Sequence, residues 1–422
     1  MSNMPAKRMA AMRSVIVVGA GMVGVASALH LQRRGWSVVL VDRKPPGRET
    51  SYGNAGFIQS EAVRPYPMPR DLRKLLAIAM RRTNDVHYSI ASLPQHIGPL
   101  LRYWWHSSPE RHRSISQSYA RIIAQAAGEH GVLIRQAGAD NLVQRRGYHS
   151  LHRTQAALDN AALVAETLAA EHGVRSQIIG AAQLAAVEPG LTETGAGAIH
   201  WRDTWTVSNP GGLVATYADL FTCLGGTFVN GDAATLAPAA GGGWRIDSDD
   251  GRLDADSAVV ALGPWSPDLL AKFGYRFPMV RKRGYHRHFS GGSKLDLPLQ
   301  DPAFGYVVAP MSQGLRLTTG AELAGRSMSA RPIQLERAEQ AAREIVNLGS
   351  AVEAEPWSGV RPCMPDMLPV VGPAARHKGL WMHFGHGHQG YTLGPATGRL
   401  LAELMSGEPT FTDASAFGPA RY

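Results

Sequence analysis

A glycine-rich turn between a β-branched run and a helix-forming stretch constrains the fold of this 422-residue chain more than any other feature. Residues 15–18 (VIVV) have the length and composition of a buried parallel strand. A G-x-G-x-x-G pattern follows at 19–24, and a second apolar run, 37–41, ends at Asp42. Such glycines permit a tight turn, close approach of a pyrophosphate and close helix–strand packing. The pattern predicts a Rossmann-like unit that binds a dinucleotide at a helix N-terminus.

The residues around Asp42 indicate which dinucleotide is bound. The Asp42 carboxylate can accept hydrogen bonds from both ribose hydroxyls and would repel a 2′-phosphate, which disfavours NADP. The glycine motif alone does not separate NAD from FAD. After Asp42 an NAD-binding domain would continue into another strand, whereas residues 50–56 (TSYGNAG) are small, polar and rich in glycine. Because such a segment suits the wrapping of an extended cofactor, the sequence favours FAD.

Five segments carry a family resemblance that spans residues 14 to about 407. They are the strand–turn–helix–strand unit at 14–42, SYGNAG at 51–56, ALGPW at 261–265, WSGVRP running on to Pro-Asp at 357–366, and the glycine–histidine loop at 385–390. With these segments the chain resembles the D-amino-acid oxidase superfamily of FAD enzymes, and most of all its bacterial D-amino-acid dehydrogenase small-subunit branch. The resemblance implies an α/β (α+β overall) fold, in which a Rossmann-like FAD-binding domain is interleaved with a mixed-sheet substrate domain.

The resemblance also implies domain boundaries and a set of cofactor-binding residues. The FAD-binding domain would comprise 13–65, 208–272 and 356–418, and the substrate domain 66–207 and 273–355. Alternating polarity at 244–246 and 315–319 predicts half-exposed strands, and 155–171 and 335–347 predict amphipathic helices. The residues expected to contact FAD are Gly19, Gly21, Met22, Val23, Gly24, Asp42, Arg43, Ser51, Asn54, Ala55, Gly56, Ala234, Ala261, Gly263, Trp265, Gly359, Gly387, His388, Gln389, Gly390, Tyr391 and Thr392.

The predicted chemistry is hydride transfer from a C–N bond to flavin, which requires no metal and no protein nucleophile. Arg361 is the predicted anchor of the substrate carboxylate, because a planar guanidinium binds carboxylate in a two-pronged manner. Tyr285, Tyr306 and Tyr52 are predicted to cap the substrate or bond its carboxylate, with packing as the alternative for each tyrosine. Weaker candidates for the site are His286, His288 and Glu322.

Two features of the C-terminal third bear on how the flavin is held. The 385–390 loop opens a helix, whose N–H groups and positive dipole would face the pyrimidine edge of the flavin. Its histidines also invite a metal site, but the interposed glycine and the lack of nearby carboxylates argue against one, and no metal is predicted. Related sarcosine oxidases attach flavin through a cysteine at the position matching about Gly359, so Cys363 is not expected to be a flavin linkage and FAD is predicted to be non-covalent.

The predicted activity is oxidation of a D-amino acid to the imino acid and then the 2-oxo acid, with electrons passed to a quinone or another acceptor of an electron-transfer chain. Sarcosine-oxidase-like relatives use a lysine above the flavin to activate oxygen, and no lysine occurs between Lys294 and Lys378, which favours a dehydrogenase. The main alternative substrate is a secondary amino acid such as D-proline, hydroxyproline, sarcosine or iminodiacetate. An electron-relaying partner subunit and an NAD(P)-linked dehydrogenase are alternatives of other classes.

Charge and composition address location and partners. The formal net charge of +9 makes an anionic partner worth testing, but the chain lacks a run of five like charges and any recognisable nucleic-acid module, so nucleic-acid binding is not predicted. Two cysteines indicate a reducing compartment, hence the cytoplasm. The uncharged stretch 14–32 contains the three motif glycines and is not expected to span a membrane.

A basic, amphipathic stretch from 70 to 105 ends in an aromatic cluster. Such a stretch could rest on the anionic inner face of the cytoplasmic membrane and bring the flavin near a quinone. A helical hairpin packed on the substrate domain and a dimer contact are the alternative interpretations, and the oligomeric state is not predicted.

Overall fold

A computed structural model describes residues 13–80, 84, 86–89, 92–323 and 330–422 of the chain. The helices are α1 (Met22–Gln32), α2 (Leu72–Ala79), α3 (Leu93–His106), α4 (Pro109–Ala137), α5 (Gln155–His172), α6 (Ala181–Val187), α7 (Pro210–Cys223), α8 (Ser266–Ala271), α9 (Ile333–Arg343) and α10 (Gly390–Ser406). The strands are β1 (Ser14–Val18), β2 (Ser37–Asp42), β3 (Phe57–Ile58), β4 (His87–Tyr88), β5 (Val143–Gln144), β6 (Tyr148–His152), β7 (Ser176–Gly180), β8 (Gly197–Trp201), β9 (Trp205–Val207), β10 (Thr227–Asn230), β11 (Ala237–Pro238), β12 (Trp244–Ser248), β13 (Gly251–Ala255), β14 (Ser257–Val260), β15 (Val280–Gly291), β16 (Leu299–Asp301), β17 (Tyr306–Met311), β18 (Gly314–Leu323), β19 (Gly349–Ala351), β20 (Trp357–Cys363), β21 (Val370–Pro373) and β22 (Leu380–Phe384).

A six-stranded sheet in the order β10-β2-β1-β14-β22-β21 contains the predicted dinucleotide-binding turn. Its strands are parallel except β21, which pairs antiparallel with β22. The four inner residues of β1 are at most 1% exposed, as expected for a parallel strand covered on both faces. Gly24 allows α1 to pack onto the preceding turn, because a β-carbon there would stand 1.7 Å from the Gly19 carbonyl oxygen. The predicted β1–α1–β2 unit is confirmed.

A larger mixed sheet faces this unit. Its main order is β19-β15-β18-β17-β16-β6-β8-β7, with β20 pairing to β15 and β4 to β18. One face of the sheet is covered by α6 and α9 through a cluster of buried apolar side chains that includes Phe289, Leu317 and Leu335. The predicted mixed α/β architecture, the strands at 244–246 and 315–319 and the helices at 155–171 and 335–347 are confirmed, although α9 begins and ends earlier than predicted. The expected half-exposure is wrong for 315–319, where every residue is buried because β18 lies inside the sheet between β15 and β17.

The antiparallel register of β20 on β15 decides which side chains enter the space between the two sheets. Arg361 is paired with Lys282, Gly359 with Gly284 and Trp357 with His286. Paired residues on neighbouring strands point to the same side of a sheet. The ring of His286 accordingly stacks on that of Trp357, with centroids 4.8 Å apart. These even-numbered residues of β15 therefore share one face with Arg361, and Tyr285 lies on the other.

The division into domains can be drawn at several positions along this interleaved chain. We propose to keep 13–65, 208–272 and 356–418 as the FAD-binding segments, with 66–207 and 273–355 as the substrate domain. Several elements bridge these segments: β20 pairs with β15 of the larger sheet, β3 pairs with β9, and α4 buries Ile122 and Ile134 in the core shared with α1. Within the described residues, no helix is long and apolar enough to cross a membrane.

Candidate active site

A cleft of about 1010 Å³ runs between the two sheets, from the β1–α1 turn to the β15–β20 face. Its acidic lining residues are Asp42, Glu49 and Asp232, all near the β1–α1 end. Its basic lining residues are Arg43 near that end and Lys282 and Arg361 at the other. The described lining therefore separates a mixed-charge end from a purely cationic end, which we call the cationic end.

At the mixed-charge end, Asp42 is the last residue of β2 and is held in position by backbone amides. Its Oδ2 accepts the amide of Ala20 at 2.7 Å and its Oδ1 accepts the amide of Lys44 at 3.1 Å. Burial raises the pKa of Asp42, and the two amide donors oppose that shift. Arg43 stacks on the ring of Trp265 at 4.8 Å and pairs with Glu49. This end offers a carboxylate with free lone pairs beside a cation on an indole, which suits a ribose and an aromatic base.

The glycine turn between β1 and α1 lines the cleft next to Asp42. Ser51 Oγ accepts the amide of Met22 at 3.0 Å and thereby ties the 50–56 segment to the start of α1. Sequence reasoning assigned the first amides of α1 to phosphate, but the structure commits that of Met22 to Ser51. The next amide in the turn, that of Val23, has no acceptor within the helix and borders the cleft.

Most of the predicted cofactor residues line the cleft. Those that do so are Gly19, Gly21, Met22, Val23, Asp42, Arg43, Ser51, Asn54, Ala55, Ala261, Gly263, Trp265, Gly359, Gly387, His388, Gln389, Gly390 and Tyr391. Four others lie behind the lining: Gly24, Gly56, Ala234 and Thr392. Thr392 bonds the backbone of Phe57 and Gln59, and Ala233, one residue before Ala234, is the one that borders the cleft. These four support the walls of the cleft.

The 50–56 segment is held from below by a residue that sequence reasoning did not single out. Arg316, on β18, is 3% exposed, and its Nη1 donates to the carbonyls of Tyr52 and Asn54 at 3.0 and 2.8 Å. Its Nε donates to His288 Nε2 at 2.9 Å, and His288 Nδ1 in turn pairs with Glu353. Burial lowers the pKa of Arg316 to about 10. The chain of contacts fixes the segment that borders the middle of the cleft.

The glycine–histidine loop before α10 closes the cleft on its C-terminal side. His383 and His386 are buried and share the hydroxyl of Thr397 as a hydrogen-bond partner. Burial lowers the pKa of His386 to about 3, so the ring is neutral at pH 7. Within the described residues, no group of three histidine, cysteine or carboxylate side chains could hold a metal ion.

His388, in the same loop, faces the cleft directly. Its pKa lies well below the usual value, first because surrounding protein desolvates the ring and then because Arg361 and Lys282 place positive charge nearby. The two cations alone give this direction even though solvent reaches the ring through the open cleft. A neutral His388 and the positive end of α10 therefore form the wall beside the cationic end.

Arg361 lies where the sequence predicted the carboxylate anchor. Its Nη1 donates to the carbonyl of Gly320 at 2.5 Å, and its guanidinium passes over Gly284, which has no side chain to obstruct it. No described carboxylate lies within 4.0 Å of the guanidinium. Burial lowers the pKa of Arg361. Arg361 therefore offers an unpaired cation to an incoming anion.

The three predicted tyrosines are placed differently from Arg361. Tyr285 and Tyr306 are 1% and 2% exposed and belong to the apolar cluster against α9, although both also border the cleft. The Tyr285 hydroxyl bonds Glu322, and Tyr306 lies beside Asp301. Tyr52 does not line the cleft but packs between His286 and Trp357. The contacts of Tyr285 and Tyr52 favour the packing interpretation, and for Tyr285 the pairing of β15 places the side chain on the face opposite Arg361. Tyr306, on β17, is buried in the same apolar cluster as Tyr285.

A lysine does line the cationic end, which corrects the sequence argument about the oxidase lysine. The range without lysine, 294–378, does not include β15, and β15 presents Lys282 to the cleft. Its Nζ lies 4.8 Å from the centre of the Tyr103 ring. The ring of Tyr66 also lines the cleft and meets that of His388 edge-on at 5.9 Å. The sequence did not predict Lys282, Tyr103 or Tyr66 as site residues, because contacts between distant parts of the chain bring them together.

The residues present fit FAD. The cleft is large enough for an extended dinucleotide, and the Asp42 carboxylate lies at one end and the Arg361 guanidinium at the other. Gly21 and Gly263 present bare backbone to it, and a β-carbon on Gly263 would meet nothing within 4 Å. Because a side chain there would project into the cleft, these glycines keep room for a ligand along its length.

The DAO family of FAD-dependent oxidoreductases matches residues 14–404. A protein named D-amino acid dehydrogenase from Chromohalobacter salexigens is 29% identical over 97% of this chain and 99% of its own length. A protein named D-amino-acid oxidase from Bradyrhizobium diazoefficiens is also 29% identical, with the same coverage of both chains.

Two solved structures are similar in fold. Glycine oxidase from Geobacillus kaustophilus superimposes with a TM-score of 0.71 at 22% identity and covers 97% of this chain and 100% of its own. Iminodiacetate oxidase from Chelativorans sp. superimposes with a TM-score of 0.70 at 24% identity and covers 96% of this chain and 98% of its own.

Proposed function

Because this chain belongs to the DAO family of FAD-dependent oxidoreductases, we propose that it oxidises the Cα–N bond of a D-amino acid. A hydride leaves Cα and a proton leaves the nitrogen, which gives an imino acid that water hydrolyses to a 2-oxo acid and ammonia. Bound FAD supplies the hydride acceptor. The unpaired guanidinium of Arg361 at the cationic end is the observation that carries the proposal. The names of the relatives support the D-amino acid as substrate.

The chain's own residues contribute binding, orientation and electrostatics. Asp42, Ser51 and the α1 turn would hold the nucleotide half of FAD, with Asn54 and the loop before α10 bordering its ring. The positive end of α10 favours negative charge beside that loop. Arg361 would hold the substrate carboxylate in a two-pronged contact that fixes where Cα lies. We propose that FAD is held without a covalent bond.

The electron acceptor is proposed to be a quinone or another carrier rather than oxygen. The relatives carry both dehydrogenase and oxidase names, and Lys282 removes the argument based on a missing lysine. The support comes from α2 and α3, which line the cleft with Leu75 and Leu100 and expose a second apolar face to solvent. A bilayer-dissolved acceptor would meet the cleft at this wall.

We further propose that this outer face rests on an anionic membrane. The outer face, called the α2–α3 surface, consists of Leu72, Leu76, Ile97, Leu101 and Trp105, each at least 52% exposed. Arginines border it: Arg70 stacks on Trp104 and Arg111 on Trp105, each at 3.9 Å. Apolar side chains ringed by arginine complement anionic headgroups. Arg81 and Arg82, also part of the predicted basic stretch, lie outside the described residues.

The deciding experiment is an anaerobic substrate panel on the purified yellow protein. D-amino acids are expected to bleach the flavin absorbance and their L-enantiomers are not. Bleaching by sarcosine, D-proline or iminodiacetate alone would replace the proposed substrate with a secondary amine. A protein that no amino acid bleaches would refute the proposal. To test the acceptor, the rate of reoxidation of the bleached protein is compared for a short-chain quinone and for oxygen at equal concentration.

A further inference from the structure

We propose that the substrate is an acidic D-amino acid, whose α-carboxylate binds Arg361 and whose side-chain carboxylate binds Lys282. The inference rests on the proposed function and narrows it to one substrate class. It starts from the unusual composition of the cationic end, where two cations line the cleft and no described carboxylate does so.

The two cations belong to one surface. Lys282 and Arg361 are register partners on adjacent antiparallel strands, so their side chains leave the sheet on the same side. The Arg361 guanidinium turns over Gly284 towards the Gly320 carbonyl, whereas Lys282 extends towards Tyr103 on α3. The two charged groups therefore leave neighbouring positions on the sheet in different directions. This arrangement suits a dicarboxylate, whose two carboxylates would each meet one cation.

The unpaired state of Lys282 contrasts with that of its neighbours on β15. Arg281 pairs with Asp268 at 2.8 Å, and Arg283 pairs with Glu322 at 3.2 Å. No described carboxylate lies within 4.0 Å of the Lys282 ammonium, which instead packs over the Tyr103 ring. A cation in a partly enclosed site is unfavourable without a counter-charge. A monocarboxylate would satisfy Arg361 alone and leave Lys282 uncompensated.

The space beside Lys282 also accommodates a second anionic group. A side pocket of about 40 Å³ shares Tyr66, Tyr103, Lys282 and His388 with the main cleft. Its described lining includes no carboxylate. A volume of this size exceeds that needed by one water molecule, so a small polar group can enter it. An apolar side chain could occupy the part of the cleft near Leu75, but it would gain nothing from the ammonium.

The first test compares isosteric substrates that differ in charge. We would measure kcat/KM for two substrate pairs, D-glutamate with D-glutamine and D-aspartate with D-asparagine. Each pair is tested in the wild-type holoenzyme, in Lys282→Met and in the control Lys294→Met, which changes an exposed lysine outside the cleft. Wild type is expected to prefer the acidic member. Lys282→Met should reduce that preference about ten- to a hundredfold, mainly through KM, because one charge-assisted hydrogen bond is lost. Lys294→Met should retain it.

A binding measurement on the oxidised holoenzyme separates recognition from turnover. Succinate is expected to bind more tightly than butyrate by calorimetry, and Lys282→Met should remove that difference while butyrate affinity stays unchanged. A wild type that prefers D-glutamine or D-leucine to D-glutamate overturns the inference. So does a Lys282→Met variant that slows acidic and neutral substrates equally. If no amino acid bleaches the flavin the proposed function fails, whereas bleaching by neutral D-amino acids with no acidic preference defeats this inference alone.

Discussion

The guanidinium of Arg361 occupies the space that a side chain at Gly284 would fill: a β-carbon added there would stand 2.3 Å from Arg361 Nη1. Gly284 lies in β15 beside β20, and its backbone φ is not in the left-handed region, so the glycine is needed for space and not for backbone conformation. Because Gly284 on β15 lacks a side chain, the guanidinium of Arg361, the proposed carboxylate anchor on β20, can occupy this position.

Gly284→Ala is expected to raise KM for the amino acid about ten- to a hundredfold while FAD content stays unchanged. The flexible guanidinium can move aside, so the protein folds, but the anchor no longer meets the carboxylate. Steady-state kinetics and the flavin-to-protein absorbance ratio measure the two effects. Gly128→Ala, at a position with nothing within 4 Å, is the control. Loss of FAD together with activity would indicate that Gly284 serves the cofactor site instead.

Arg316→Met is expected to weaken FAD binding about ten- to a hundredfold. The change leaves the carbonyls of Tyr52 and Asn54 without their donor and frees the segment that borders the cleft. Titration of the apoprotein with FAD, followed by flavin fluorescence, gives Kd, and Arg252→Met on exposed β13 is the control. Because this role is one of positioning, KM for the amino acid measured at saturating FAD should change less than Kd. An unchanged Kd would contradict the assignment.

Much of the predicted dinucleotide-binding unit follows from local sequence. The β1–α1–β2 unit combines a buried run, a glycine pattern and an acid at fixed spacing, and short-range sterics enforce it. Arg361 lines the cleft, as the resemblance carried by its WSGVRP motif implied. Both successes depend on residues close together in the chain.

The remainder of the site depends on strand pairing, which local patterns do not fix. A shift by one residue moves every side chain of a strand to the other face, and the pairing of β15 with β20 and β18 sends Tyr285 to the apolar cluster and Lys282 to the cleft. Arg316 reaches Asn54 across 262 positions of sequence, so no motif announces the contact.

His286→Phe is expected to make stability less sensitive to acid. The buried ring of His286 stacks between Tyr52 and Trp357, and a weak contact with the Gly53 backbone only partly opposes the effect of burial on its pKa. Burial, reinforced by Arg316, lowers its pKa to about 2. Between that value and the usual 6.5 the unfolded chain binds a proton that the folded chain does not, so stability falls as pH falls, by up to about 1.4 kcal/mol per pH unit.

Phenylalanine keeps the stacking and removes this proton linkage. The midpoints of thermal unfolding at pH 7 and pH 5, measured with saturating FAD, should therefore differ less in His286→Phe than in wild type. Other buried histidines, such as His30 and His386, keep a residual dependence because burial lowers the pKa of each to about 3. An equal pH dependence in both proteins would mean that His286 is protonated in the folded state.

Leu101→Glu combined with Trp105→Glu is expected to abolish binding to anionic vesicles. Both residues lie on the outer face of α3, 63% and 55% exposed, where two carboxylates would oppose insertion and repel phosphatidylglycerol. Sedimentation with phosphatidylglycerol vesicles at low and high salt measures the effect, with phosphatidylcholine vesicles as the uncharged comparison. Leu163→Glu, equally exposed at 63% on α5, is the matched control and should bind like wild type. The α2–α3 surface would be assigned to self-association instead of lipid binding by a different result. In that result the wild-type protein binds neither vesicle type and forms a dimer, and the double substitution dissociates this dimer.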